Sequence, residues 1–193
     1  MYSVKENKEK ERIIKKSKFI SFIYRLEKEE DIETILKEKS EQYKDATHCC
    51  YAYIYENKIK MSDDNEPSGT AGNPILDVLK KNHLDHVLCI VIRYFGGIKL
   101  GAGGLIRAYS TSCKEVVENN IIELIEGYKI KINTSYEKIK EMDYLLKEEE
   151  IIKKEYNDKI EITVKVKKET LEKLKSLEQD LCLIENTYIE KKL

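Results

Sequence analysis

Apolar positions along the chain fall into two alternating rhythms, a two-residue repeat and a helical repeat. Short β-branched and aromatic runs at Glu11–Ile14 and Lys18–Tyr24 predict strands. Ile32, Ile35 and Leu36 recur at helical spacing within Glu29–Glu41, behind an acidic first turn, and predict an amphipathic helix. Residues 46–55 are rich in strand formers. A strand there places His48, Cys50, Ala52 and Ile54 on one face and Cys49, Tyr51, Tyr53 and Tyr55 on the other. Ile59–Met61 is expected to return across a turn at 56–58. Asn73-Pro74 reads as a helix start, with Asn as the cap and Pro at the first helical position. That helix runs to Asn82 with Ile75, Val78 and Leu79 inward. The unbroken apolar run of Val87–Tyr94 predicts a central strand buried on both faces. A helix from Gly103 to Asn119 follows, its inner stripe Leu105, Tyr109, Ser112, Cys113 and Val116.

After Asn120 the pattern changes to strand, helix, strand, strand, helix, strand. The segments are 128–134, 136–148, 151–156, 159–166, 169–177 and 182–189, with a two-residue turn at Asn157-Asp158. This order is the split βαβ arrangement of ferredoxin-like domains. The expected division is therefore 1–126 and 127–193, and the fold class is α+β.

Composition narrows the function. With 35 basic and 36 acidic residues the charges cancel, so only a local patch can favour nucleic acid. All the arginines (Arg12, Arg25, Arg93, Arg107) lie in the first 107 residues. Five cysteines without regular spacing argue against a disulfide framework and for a reducing compartment. No apolar run reaches the roughly 18–20 residues of a membrane span, and the first residues lack an apolar signal core. A soluble cytoplasmic protein without a membrane partner is expected.

Candidate chemistry concentrates between Met61 and Ser112, which holds seven of the eight glycines and both prolines. One turn spans Asp63–Gly72, with Pro67, Ser68, Gly69 and Thr70. A second, Gly96–Gly104, follows a strand and opens a helix. That setting makes an anion cradle of free N–H groups at a helix N-terminus, to which Arg93, Lys99 and Arg107 would add charge. Its glycines are Gly96, Gly97, Gly101, Gly103 and Gly104. The motifs GxxxxGK[ST] and GxGxxG are both absent, so no nucleotide-binding motif is present. Spacing alone supports an anion cradle and tight helix–strand packing equally. Asp63, Asp64 and Glu66 read first as a solvated acidic turn capping a helix, ahead of a metal or acid–base site. His48, turned away from Cys49, reads as a half-buried structural histidine. His83 and His86 have no accompanying ligand set. No catalytic residue, metal or cofactor is assigned.

The segments ATHCCYAY, SDDNEPSGTAGNP and VIRYFGGIKLGAGGLIRAY, in this order, resemble the signature of the YigZ/IMPACT family. The resemblance covers about residues 10–120. The motif falls on His48, Asp64, Glu66, Pro67, Gly69, Thr70, Gly72, Arg93, Tyr94, Gly96, Gly97, Gly101, Gly103, Gly104 and Tyr109. It implies an N-terminal α/β domain like the second domain of a small-subunit ribosomal protein, and a ferredoxin-like C-terminal domain. Eukaryotic members restrain a translation-control kinase by competing for its activator. For bacterial members the likeness implies RNA or ribosome binding, or a translation-related protein partner. The leading expectation is a non-enzymatic binding protein. RNA phosphates would meet Arg93, Lys99, Arg107 and the glycine turn, while His48, Asp64, Glu66, Pro67, Ser68, Gly69, Thr70, Gly72, Tyr94 and Tyr109 would form a wall. The alternative is an enzyme acting on a phosphorylated small molecule, with Asp64 or Glu66 as base and His48 as acid.

Overall fold

The structure, a computed structural model, describes residues 1–177 and 180–191. The chain divides into two compact units, Met1–Glu123 and Leu124–Leu193. In the first, the elements are β1 (Tyr2–Val4), β2 (Lys8–Ile14), β3 (Ser17–Arg25), α1 (Glu30–Gln42), β4 (His48–Tyr55), β5 (Lys58–Ser62), α2 (Gly72–Lys81), β6 (Val87–Tyr94) and α3 (Ala102–Val117). Strand β7 (Ile121–Thr134) leads from this unit into the second.

Five strands form an antiparallel sheet in the order β2-β3-β6-β4-β5. The apolar run of β6 sits at its centre, as its pattern predicts. Val87, Cys89 and Val91 face one core, shared with Ile75, Leu79, Leu105, Tyr109 and Val116 of α2 and α3. Leu88, Ile90 and Ile92 face the other, with Phe22 and with Ile32 of α1. Each such buried side chain contributes roughly 1.5–3 kcal/mol. β4 alternates as expected, with Cys50, Ala52 and Ile54 buried in the first core and Cys49, Tyr51, Tyr53 and Tyr55 packed at the second. The expected inner stripe of α3 is fully buried. β1 was not foreseen, because three residues are too few to show a period. It pairs with Ile121–Glu123, and Lys5 N–H bonds the Asn120 carbonyl (2.8 Å).

The second unit adds α4 (Ile139–Leu145), β8 (Glu150–Tyr156), β9 (Ile160–Val166), α5 (Lys168–Ser176) and β10 (Asp180–Glu190). Its strands run β10-β7-β9-β8, all antiparallel, which is the expected split βαβ order. Ile130, Ile132, Ile160, Ile162 and Val164 form its core with Met142 of α4 and Leu174 of α5. Two local expectations fail. The β8–β9 connection takes three residues, because Asn157 N–H bonds the Lys159 carbonyl (3.1 Å) and Tyr156 pairs with Ile160. α4 is shorter than expected, since Glu149 N–H closes a turn on the Leu146 carbonyl (3.0 Å) instead of extending the helix. Among the described residues no helix is long and apolar enough to cross a membrane.

Candidate functional site

The acidic turn is built from two neighbouring left-handed residues. Asp64 (φ 38) and Asn65 (φ 65) are residue types that tolerate this backbone. Glu66 N–H returns to the Asp63 carbonyl (2.9 Å), closing the turn. As a result Asp63 and Glu66 point to different tasks.

Asp63 caps α2 from nine residues upstream. Its Oδ1 accepts the N–H groups of Ala71 (2.9 Å) and Gly72 (2.8 Å), and its Oδ2 that of Gly69 (2.8 Å). Burial acts to raise its pKa. The three backbone donors outweigh that and hold the carboxyl below the usual range. α2 thus begins at Gly72, with Ala71 as its flanking residue and no side-chain cap of its own. Asn73 is not the cap, because the orphan N–H groups are already taken by Asp63. The acidic turn does cap a helix, though from a partly buried position.

Glu66 turns into the core, its side chain only 2% exposed. Its Oε1 accepts Arg93 Nη1 (2.6 Å) and the Tyr109 hydroxyl (2.7 Å). His48 Nε2 stands 3.8 Å from the same oxygen. The other ring nitrogen, Nδ1, lies 2.7 Å from the Asp64 carbonyl, so it carries the proton. The Asp64 carboxylate accepts the Cys49 N–H (2.6 Å). The Cys50 thiol lies 3.0 Å from the Asp63 carbonyl and 3.5 Å from the Tyr109 hydroxyl. Burial pushes the Cys50 and Tyr109 pKa values well up. Burial, then the Asp64 charge, brings the Cys49 thiol to about 11, which leaves little thiolate at neutral pH.

This cluster gathers His48, Asp64, Glu66, Arg93 and Tyr109, and it holds the acidic turn against the sheet. Arg93 belongs here and not to the anion cradle. It shares a face with Val87, Cys89 and Val91, so strand parity drives it inward, and its side chain is 5% exposed. Its Nη2 bonds Ser17 Oγ (3.3 Å), and its guanidinium lies over the Phe19 ring (5.6 Å) and the Phe95 ring (5.5 Å). Tyr94, one residue on, faces the opposite side, where its hydroxyl bonds Asp45 (2.9 Å). It is no part of this wall. Glu66 already accepts from Arg93 and Tyr109, so it is poorly placed as a general base. Thr70 is buried and bonds the Pro67 carbonyl through both N–H (3.0 Å) and Oγ1 (2.6 Å). Gly72 is buried, while Pro67 and Ser68 face solvent and Gly69 lies between.

The glycine turn is shaped by one close approach and one backbone requirement. A Cβ on Gly96 would lie 2.0 Å from the backbone of Lys16, so only glycine fits there. Gly96 N–H also bonds Ser17 Oγ (3.2 Å). Gly101 (φ 70) turns the chain into α3. Gly97 and Gly103 are exposed, and Gly104 lines a cleft.

That cleft, about 260 Å³, lies between β2 and α3. Arg12, Lys15 and Arg107 line it over Ile14, Leu100 and Ala108. Arg12 pairs with Glu115 (3.1 Å). Lys15, Lys16, Lys99 and Arg107 are exposed and have no acidic partner among the described residues. Lys15 and Lys16 were not among the expected site residues. They form the two-residue turn joining Ile14 to Ser17, with φ values of 44 and 67. Asn-Gly would mark such a turn in a sequence; Lys-Lys does not.

The Impact N-terminal domain matches residues 15–117 of this chain. The IMPACT family member YvyE of Bacillus subtilis is 38% identical to it over 98% of this chain and 94% of that protein. An IMPACT family member of Haemophilus influenzae is 30% identical over 84% of this chain and 83% of its own length. A crystal structure described as that of a hypothetical protein matches with a TM-score of 0.62 and 25% identity, covering 99% of this chain and 98% of the other. With its acidic turn clamped to the sheet, its glycine turn fitted over the β2–β3 hairpin, and these relatives along nearly its whole length, the chain belongs to the IMPACT family.

Proposed function

We propose that this chain is a non-enzymatic RNA-binding protein acting in translation, and that the cleft between β2 and α3 receives RNA phosphates. The observation that carries this reading is the set of exposed, acid-free cations Lys15, Lys16, Lys99 and Arg107 around the cleft and the N-terminus of α3. In a chain whose charges otherwise cancel, such a patch is a local field for polyanions. The first N–H groups of α3 lack intrahelical partners and favour an anion there. Membership of the IMPACT family supports translation as the setting.

The test is fluorescence-anisotropy binding of short RNA across a salt series. Affinity is expected to fall steeply as salt rises, with a slope of about −0.7 per phosphate contact on a single strand. Lys15→Ala, Lys99→Ala and Arg107→Ala combined should weaken binding and flatten that slope by about two. Binding indifferent to salt, or an unaffected triple variant, refutes the reading.

A further inference from the structure

We infer that Phe95 is a stacking platform for an unpaired base, so that the site takes single-stranded RNA. This deepens the reading just proposed and rests on it. Phe95 follows directly on β6, and the residue is 46% exposed. An exposed aromatic ring normally rotates freely, but here the backbone that carries the ring and one side of the ring are each held. Its N–H is bound to Thr47 Oγ1 (2.9 Å). One side of the ring lies against the Arg93 guanidinium (5.5 Å), which is itself backed by Phe19 and fixed by Glu66. Such a cation–aromatic contact holds the ring in place without covering its outward side.

The ring's position links it to the cations. Gly96, its chain neighbour, is pressed against the backbone of Lys16. Phe95 therefore stands one residue from the contact with the Lys15–Lys16 turn, and Lys99 lies four residues further along the same loop. A fixed aromatic face beside unpaired cations matches the repeating unit of a single strand, one base and one phosphate. In a duplex the base faces are stacked on each other and unavailable to the ring.

The experiment compares a 12-nucleotide single-stranded RNA with a 12-base-pair RNA duplex, using the full chain. Phe95→Ala should weaken single-strand binding about 5- to 150-fold while leaving duplex binding and the salt slope unchanged. Phe95→Leu retains bulk over Arg93 but has no ring, and it should lose affinity similarly, which separates stacking from a folding defect. Because the chain has no tryptophan, Phe95→Trp makes a sole reporter whose fluorescence should be quenched by the single strand and not by the duplex. If both Phe95→Ala and Phe95→Leu bind the single strand like wild type while the Lys15, Lys99 and Arg107 variant loses it, the platform is refuted and the phosphate reading stands. If wild type binds neither RNA, both fall.

Discussion

Replacing Arg93 by Ala should cost the first unit about 3–5 kcal/mol, because it strands a buried carboxylate. Glu66 and Arg93 are 2% and 5% exposed, with Oε1 and Nη1 only 2.6 Å apart. Two unit charges about 4 Å apart in a medium of effective dielectric about 20 attract by about 4 kcal/mol. This value agrees with the cost of breaking buried pairs measured elsewhere. Without Arg93, Glu66 retains the Tyr109 hydroxyl (2.7 Å), and the Phe19 and Phe95 rings lose the guanidinium over them. The assay is native-state hydrogen exchange of the β6 amides, which reads this unit's unfolding separately from the other. Exchange should accelerate by about two to three and a half orders of magnitude, at 1.4 kcal/mol per decade. Glu66→Leu with Arg93→Met removes both charges and should cost far less than the two single changes added together. An Arg93→Ala variant that changes exchange by less than about fivefold, roughly 1 kcal/mol, would show that the pair does not hold the turn to the sheet.

The remaining predictions concern the hairpin turn and the helix cap. Lys15→Asn with Lys16→Gly relieves two left-handed lysines and should raise thermal stability by about 1 kcal/mol while lowering RNA affinity; a variant that loses both, or gains both, contradicts that assignment. Asp63→Asn should cost about 1–2 kcal/mol through the weakened cap of α2, seen as a lower midpoint in urea. Because the folded pKa of Asp63 is depressed, its contribution is fully present above the unfolded value of about 3.9 and is lost as pH falls through the lower folded value. The wild-type minus Asp63→Asn difference in stability should therefore be flat from pH 7 to about pH 5 and shrink below about pH 4. A difference independent of pH would show that the charge is not what caps the helix.

Much of the fold was legible because each element carries its own period. The run of β6 could only be buried on both faces, and the two sides of β4 sorted His48 and Cys50 from Cys49 and Tyr51 without further information. The unbroken apolar run of β6 was not read by faces, although strand parity puts Arg93 on the face of Cys89 and Val91. Its place beside a glycine turn suggested a surface role, and the buried one is settled by Glu66, 27 residues away in sequence. The acidic turn was legible as a helix cap, but that it is Asp63 that does the capping was hidden for a related reason. A cap normally sits at its helix's own first residue, and here the Asp64-Asn65 turn delivers it from a separate segment. Lys15 and Lys16 carried no turn signal at all.

By itself, then, the sequence determined the periodic elements, the central strand, the two-part organisation and the fingerprint of the family. These follow from burial patterns and backbone preferences that act within a few residues. The tertiary structure decided which charges are spent inside and which remain exposed. Glu66 and Arg93 neutralise each other in the core, whereas Lys15 and Arg107 stay exposed at one cleft and Lys16 and Lys99 beside them in sequence stay exposed too. That division depends on distances between segments far apart in the chain, because the strength of a charge's interaction is set by its partner's position and by its access to water.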